Sequence, residues 1–586
     1  MHERAEPPAS ALREQSLPPP ALLWGLALLL SVVWFVMLGS RTLVPTDEGR
    51  YAEMAREMLA SGDWITTRLN GIKYFEKPPL QIWMTALAFK LFGLGDWQAR
   101  LWTGLCGYAG IILVGVAGLR VFGRRAGLAA AAILASCLFW AAMGHINTLD
   151  MGLAGGMTLA LCGMLVSQVA AGPTRAAMRR HWMLACWAGM ALAVLSKGLI
   201  GLALPGAVLI VYTVVARDWA IWTRLHLLAG LAVFLAITAP WFVLVSLHNP
   251  EFARFFFIHE HFERFTSKVH HREGAWYYFL PILAAGLLPW LAVTVQAMWA
   301  GCSEHGLPGT GTGNHTNIDK ASARGFQPKK LLLVWGILIF VFFSVSGSKL
   351  PSYILPIFPA LALLLAAYLE DAPRRAWLLL GGSATLVGCA MLVLAAKMPQ
   401  FAKDASDLAN FQAAQPWATA AALALLAGSL PVLWWSRRGK AAPAPIDRQL
   451  RATLALSIAG FAAVQLLLLG AEPHGRTRSG IALVPAIAAE LTPTTLLYAV
   501  GLYDQTLPFY LRRTMTLVAH ADELEFGLQQ QPELWLPTRE AFVARWRTGS
   551  KAVAITRPQI FDELQAQGVP MRVLARDERR VAITNH

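Results

Sequence analysis

The chain has 586 residues, of which 56% are hydrophobic and only 15% charged, with a formal charge of +15. A soluble globular protein carries charge on about a quarter of its residues, so the balance excludes that class and marks a polytopic α-helical membrane protein. Runs such as ALLWGLALLLSVVWFVMLGS (21–40) and ATLALSIAGFAAVQLLLLGA (452–471) reach the roughly 20 residues needed to cross a hydrocarbon core, where only helices satisfy their own backbone.

Residues 1–20 are polar and proline-rich, and the apolar run after them lacks a small-residue cleavage site. This reads as a cytoplasmic amino-terminal tail followed by an uncleaved first helix. Further spans are expected near 99–121, 126–143, 150–170, 181–196, 199–216, 225–247, 277–299, 331–346, 353–369, 375–396, 414–435 and 451–471, which makes about thirteen. With the amino terminus inside, Lys and Arg crowd into cytoplasmic loops such as RVFGRR (120–125), RAAMRR (175–180) and SRRGKAAPAPIDRQLR (436–451). The positive-inside rule accounts for that asymmetry, so the charge calls for no nucleic-acid partner. Odd parity puts the carboxyl terminus outside. Five of the six cysteines fall within expected helices and Cys302 in a cytoplasmic loop, a placement that suggests no disulfide framework.

Two outside segments, 41–98 and 248–276, are longer than a connection requires and rich in aromatics and charge, as functional loops are. In the first, Tyr51, Met54, Ala55, Met58 and Leu59 recur at helical spacing between charged residues, which predicts an amphipathic helix lying along the membrane surface. A second helix is expected from KPPLQIWMTALAFKLFG, because proline is tolerated in a first turn. Residues 300–330 are rich in Gly, Ser and Thr and read as a linker. The domain plan is thus a tail at 1–20, a membrane domain at 21–473, and a small outer α/β domain at 474–586. In the last, apolar runs at 495–501, 515–520, 551–557, 571–575 and 580–584 alternate with helical stretches at 504–513, 538–549 and 558–568. It shows no phosphate loop or nucleophile motif, and a structural or docking role is expected.

The charged residues of the outer side form a few groups: Asp47, Glu48 and Arg50; Glu76 and Lys77; Asp150; Lys197; the segment FFFIHEHFERFTSKVHHREG (255–274); and Lys349 with Tyr353. Each has a plain alternative. Asp47 and Asp150 precede helices and suit N-caps, although Thr46 competes for the first. The lysines can snorkel to the interface. His259 and His261 share a side only if their segment is extended, and with Glu76 as a distant carboxylate they are candidate zinc ligands.

The series PTDEGRYAEMAREML, YFEKPPL, LSKGL, HEHFERF, HHREGAWYYFLPIL and SGSKLPSYILP resembles the lipid A aminoarabinose transferases, within the dolichyl-phosphate-mannose-protein mannosyltransferase-like superfamily of GT-C glycosyltransferases. The resemblance implies a GT-C fold in the bacterial inner membrane. It further implies transfer of 4-amino-4-deoxy-L-arabinose from undecaprenyl phosphate to a lipid A phosphate on the periplasmic face, which lowers the charge of lipid A and protects against cationic peptides such as polymyxin. It places Asp47, Asp150 and Arg50 in catalysis, and Lys77, Arg264, Lys349 and Tyr353 on the donor phosphate. Tyr74, Glu48 and Lys197 fall to substrate binding, and Glu76 to a zinc ion, with His259 and His261 competing for the role of the loop histidine. No nucleotide cofactor is implied. Displacing a prenyl phosphate develops negative charge that fixed cations stabilise, so Lys77, Arg264 and Lys349 are chemically apt. A hydroxyl acceptor needs a general base, whereas a phosphate acceptor is already nucleophilic and leaves Asp47 free to orient the site. The rival readings are hexosamine transfer to lipid A, protein O-glycosylation, and a transporter for the polyprenyl-phosphate sugar. The last is disfavoured because transporter sites lie near the membrane midplane.

Overall fold

The computed structural model describes residues 18–169, 175–263, 274–302, 325–438 and 446–586. The tail to residue 17, Arg264 and most of the 300–330 linker lie outside the described residues. Helices occupy each of the anticipated spans. Among the described residues, nine are long and apolar enough to cross a membrane, or ten if one bent pair counts as a single span.

Two spans are broken. The first separates Arg124–Ser136 from Leu138–Met143 at an extended Cys137. The second joins Phe279–Gly286 to Leu291–Cys302 through a 102° bend. The breaks meet: Leu138 N–H donates to the Leu288 carbonyl at 3.2 Å, and the Trp290 indole N–H donates to Ser136 Oγ at 3.0 Å. Each interrupted helix thereby supplies partners for backbone that the other leaves open, the condition for irregular backbone at membrane depth. Composition alone shows only two apolar runs.

Small residues set a close helix contact. A Cβ at Gly189 would stand 2.6 Å from both Ala160 N and the Gly156 carbonyl oxygen, so Leu149–Val169 and Ala176–Lys197 pack backbone to backbone, the close approach that small residues allow. Because these helices run in opposite directions, the start of one and the end of the next share one end of the bundle. Asp150 and Lys197 stand there.

Above that end lies the outer domain, a six-stranded sheet. Strands β1 (Arg68–Leu69) and β2 (Ile72–Lys73) form a separate hairpin in the first outer loop. The sheet itself contains β3 (Leu496–Val500), β4 (Thr516–Val518), β5 (Trp535–Leu536), β6 (Ala552–Thr556), β7 (Arg572–Arg576) and β8 (Val581–Thr584), in the order β5-β4-β3-β6-β8-β7. The first four in that order are mutually parallel, and β8 runs antiparallel to both β6 and β7. Strand alternation divides the residues of β3: Tyr498 and Val500 pack against Phe542 and Trp546 on the far side. Leu497 and Ala499 share a core with Tyr51, Met54, Met58, Leu69 and Ile72 of the first outer loop.

That shared core corrects one expectation. The helix Asp47–Ser61 does not present a wet polar face. Arg50, Glu53 and Glu57 are buried along with its apolar residues, because the outer domain covers the side that the sequence pattern leaves to water.

Candidate active site at the outer membrane surface

The helix Asp47–Ser61 opens with two acids in its first turn, where the helix dipole favours negative charge. It closes at Gly62, whose φ of +71° is the left-handed conformation common just past a helix end. Thr46 holds the N-cap position and makes no side-chain cap bond, so Asp47 is the first helical residue rather than its cap. Arg50 Nη1 donates to Asp47 Oδ1 at 3.3 Å. Arg50 Nη2 reaches Glu523 Oε2 of the outer domain at 2.5 Å, and Gln505 Nε2 donates to Glu523 Oε1 at 3.2 Å. Burial works against the charge on Arg50. Tyr74, Glu523, Tyr51 and Asp47 outweigh it and hold the guanidinium well above its ordinary pKa. Arg50 Nε and the Tyr74 hydroxyl are buried without a hydrogen-bond partner, two unsatisfied groups whose burial is costly until a ligand meets them.

Glu48, assigned by resemblance to substrate, is turned the other way. It is 1% exposed. Its Oε1 accepts from Arg100 Nε at 2.6 Å and Asn147 N at 2.9 Å. Its Oε2 accepts from Arg100 Nη2 at 2.8 Å and Val44 N at 3.1 Å. Four donors leave a carboxylate no capacity for a substrate, so Glu48 belongs to the frame of the site.

Asp150 sits in the first turn of Leu149–Val169, and its N–H bonds to Thr148 Oγ1 at 3.3 Å. Its own carboxylate pairs with Lys197, which replaces the N-cap reading. The Lys197 ammonium also lies 4.5 Å from the centre of the Tyr353 ring, a cation–π contact, and within electrostatic reach of Asp47. Lys77 Nζ donates to the Glu76 carbonyl at 2.9 Å and lies 3.9 Å from its carboxylate. Glu76 in turn is close enough to Tyr74, Tyr51 and Glu523 to perturb all three. Asp47, Arg50, Tyr74, Glu76, Lys77, Asp150, Lys197 and Tyr353 therefore converge on one region.

Lys349 is placed differently. Its Nζ donates to the carbonyls of Ser344 and Ser346 at 2.7 Å and of Phe343 at 3.4 Å, closing the end of Pro328–Val345 in the manner of a cationic C-cap. The backbone of His259 and His261 lies within the helical turn Arg254–Glu263, not in the extended segment on which pairing them rested. Their side chains, and Arg264, lie outside the described residues. Among the described residues no three His, Cys, Asp or Glu gather to hold a metal ion, and Glu76 has an ammonium as neighbour.

Residues 523–531 of the outer domain make several of its docking contacts. Glu523 bonds Arg50, and Phe526 stacks on Phe255 with ring centres 4.0 Å apart. A Cβ at Gly527 would stand 2.3 Å from the Lys73 carbonyl oxygen, and Gln531 Oε1 accepts from Lys73 N at 2.9 Å. Nearby, the turn between β1 and β2 is Asn70-Gly71 with φ of 58° and 76°, the pair of left-handed residues that tight hairpins require. Glu57 accepts from both of its N–H groups at 2.6 Å, and the Asn70 amide exchanges two 2.7 Å bonds with the Met515 backbone. Burial and then the neighbouring Glu53 push the Glu57 carboxyl up to about 8.

Sequence reasoning missed Arg100, Asn147, Gln505 and Glu523. A signal existed for Arg100, an arginine within an apolar helix, since such charges are retained for a reason. None existed for Glu523, which reads as one acid among several in a soluble segment.

The family model described as the aminoarabinose transferase C-terminal domain matches residues 483–585, and that of dolichyl-phosphate-mannose-protein mannosyltransferase matches 76–244. An undecaprenyl phosphate-alpha-4-amino-4-deoxy-L-arabinose arabinosyl transferase of Edwardsiella ictaluri is 33% identical over 351 residues, 59% of each chain. A protein of the same name from Aeromonas salmonicida is 32% identical over 65% of this chain and 67% of its own. The alignment thus spans about three fifths of the first of these curated relatives. The crystal structure of ArnT from Cupriavidus metallidurans bound to undecaprenyl phosphate superposes with a TM-score of 0.87 at 40% identity, covering 97% of this chain and 99% of that one. The chain belongs to the aminoarabinose transferase family.

Proposed function

We propose that this protein transfers 4-amino-4-deoxy-L-arabinose from undecaprenyl phosphate to a phosphate of lipid A at the periplasmic face of the bacterial inner membrane. The amino terminus is cytoplasmic and the outer domain periplasmic. The observation that carries the reading is the convergence of Asp47, Arg50, Asp150, Lys197, Glu76 and Lys77 at one end of a helix bundle that matches, over nearly its whole length, a relative crystallised with undecaprenyl phosphate.

In the reaction an oxygen of the acceptor phosphate attacks the anomeric carbon, the bond from that carbon to the donor phosphate oxygen breaks, and undecaprenyl phosphate leaves with the electron pair. Lys77 meets the charge developing on the leaving group, and Arg264 is assigned to the same task. Arg50 offsets the repulsion between the two phosphates, which in a poorly hydrated site exceeds its value in water. Asp47 and Asp150 each face a cation, an arrangement suited to orienting the sugar and its amino group rather than to removing a proton. An ionised phosphate acceptor has no proton to lose, and this favours lipid A over a protein hydroxyl. No step is routed through a metal.

Mass spectrometry of lipid A from a deletion strain that still makes the donor, complemented with wild type or Asp47→Ala, tests the proposal. Loss of a pentosamine on deletion, restored only by wild type, is expected. An unchanged lipid A profile would overturn it, and loss of a hexosamine instead would select the rival donor.

A further inference from the structure

We infer that Gln81 and Asn147 are positioning residues for transfer, a buried amide pair that holds Lys77 in place against Asp47 and Asp150; the inference rests on the transferase reading above.

The pair joins three segments of the outer side, each of which carries a site residue. Gln81 stands in the first turn of Leu80–Phe92, four residues after Lys77. Asn147 lies just ahead of the helix Leu149–Val169, three residues before Asp150. Gln81 Nε2 donates to Asn147 Oδ1 at 2.7 Å, and Asn147 Nδ2 donates to the Glu48 carbonyl at 3.3 Å, next in the chain to Asp47. Asn147 N also donates to Glu48 Oε1 at 2.9 Å, so the loop is tied to that helical turn twice. Gln81 is 1% exposed and Asn147 0%, and bulk water offers no substitute for a lost bond.

The direction of these bonds is fixed. A backbone carbonyl only accepts, so the Glu48 carbonyl draws Nδ2 of Asn147, which turns Oδ1 toward Gln81 and requires an amide N–H there. Thr85 Oγ1 and Thr103 Oγ1, each 3.4 Å from Gln81 Nε2, flank the same donor. Gln81 Oε1 is buried with no hydrogen-bond partner among the described residues, a cost that an apolar side chain of similar volume would avoid. Stability alone therefore does not account for a glutamine at this position.

Between Lys77 and the helix stand Pro78 and Pro79, whose rings restrict φ. Trp83 N–H donates to the Pro79 carbonyl at 2.8 Å and seats the second proline on the helix. A shift of Gln81 is thus passed on to Lys77 instead of being absorbed between them. Loss of the amide bond would let the Lys77 segment move relative to Asp47 and Asp150, and misplacement by about 1 Å at a reacting centre costs about 100-fold in rate.

Steady-state transfer by the purified full-length protein, with undecaprenyl-phosphate aminoarabinose and lipid A, tests this. Gln81→Met and Asn147→Leu approximately keep side-chain volume and remove the bond. Each should lower kcat about 100-fold with little change in donor KM, and the double variant should be no slower than either, because residues in contact are not additive. In a Lys77→Ala background, measured at raised enzyme concentration, Gln81→Met should have almost no further effect. An equal fold-loss in both backgrounds would mean that the pair only supports the fold, and would overturn the proposal. Wild-type kcat in both single variants would also overturn it. Absence of transfer by the wild-type protein would instead remove the transferase reading, and this inference with it.

Discussion

Asp47 and Glu48 are neighbours in sequence, and each faces an arginine, yet they belong to different kinds of structure. The Glu48 pair with Arg100 is sealed: the carboxylate accepts four bonds, and Arg100 also donates to the carbonyls of Leu38, Arg41 and Thr42. The Asp47 pair with Arg50 is half open. The Asp47 side chain is 39% exposed, and Arg50 keeps an unpartnered Nε. A saturated buried pair holds backbone in place and has no valence left for a ligand. An unsaturated one is tolerated because something else completes it. The comparison teaches that hydrogen-bond capacity, more than charge or position, separates frame from site here.

Breaking the sealed pair should have the largest effect on folding. Glu48→Gln leaves the Arg100 charge uncompensated, and we expect a loss of about 3–5 kcal/mol, read as a lower thermal midpoint in detergent and less protein in the membrane. A variant of normal stability that loses only activity would break the comparison. Asp47→Asn should do the reverse. Transfer should fall about 10²–10³-fold while stability moves by less than about 0.5 kcal/mol.

A pH series sharpens the contrast further. For Glu48, burial opposes ionisation but Arg100 and then Arg41 prevail, holding its carboxyl below the usual range. Its contribution to stability is therefore present at neutral pH and is lost as pH falls through that lowered value. Glu57 has the opposite sign. Its folded-state pKa of about 8 stands above the ordinary 4.5, so the folded state binds more protons between those values and stability falls as pH rises from about 4.5 to about 8. Glu57→Gln, which mimics the protonated acid, should flatten that alkaline-side loss in thermal unfolding measured across the range. An unchanged slope would mean that burial does not hold Glu57 protonated in the folded state.

The smallest expected effect is at Lys349, whose ammonium serves three carbonyls. By the rule drawn from Glu48 it is frame, so Lys349→Met should cost about 1 kcal/mol of stability and leave transfer within a few-fold of wild type. A collapse of activity as deep as that of Asp47→Asn would show that this lysine turns toward the donor phosphate.

Much of the architecture is visible in the residues themselves. The apolar runs mark the helices. Five strands of the outer sheet coincide with apolar runs of the carboxyl-terminal segment, whereas β5 and the hairpin strands β1 and β2, two residues each, escape notice. What stays hidden depends on partners distant in sequence. The broken spans exist because each supplies hydrogen bonds to the other, and a hydropathy profile shows neither break. The acids Glu53 and Glu57 look like a wet helix face until a domain more than 400 residues away covers them. Of the site, the charged groups of the outer loops stand out in the sequence, and those around Asp47, Glu76, Asp150 and Lys197 lie near one another. The division of Asp47 from Glu48, the capping geometry of Lys349 and the arrival of Glu523 follow from tertiary contacts alone.

The Asn70 clamp has a consequence for tolerance to change in the outer domain. Both of its bonds go to the peptide of residue 515, so the hairpin reads the backbone there and is indifferent to which side chain is attached. Substitutions at 515 that keep an apolar group should leave the two bodies joined. Deleting or inserting a single residue just ahead of β4 would slide a different peptide under Asn70. The junction is thus specified by chain length more than by sequence, and a reading frame of one residue is its unit of failure.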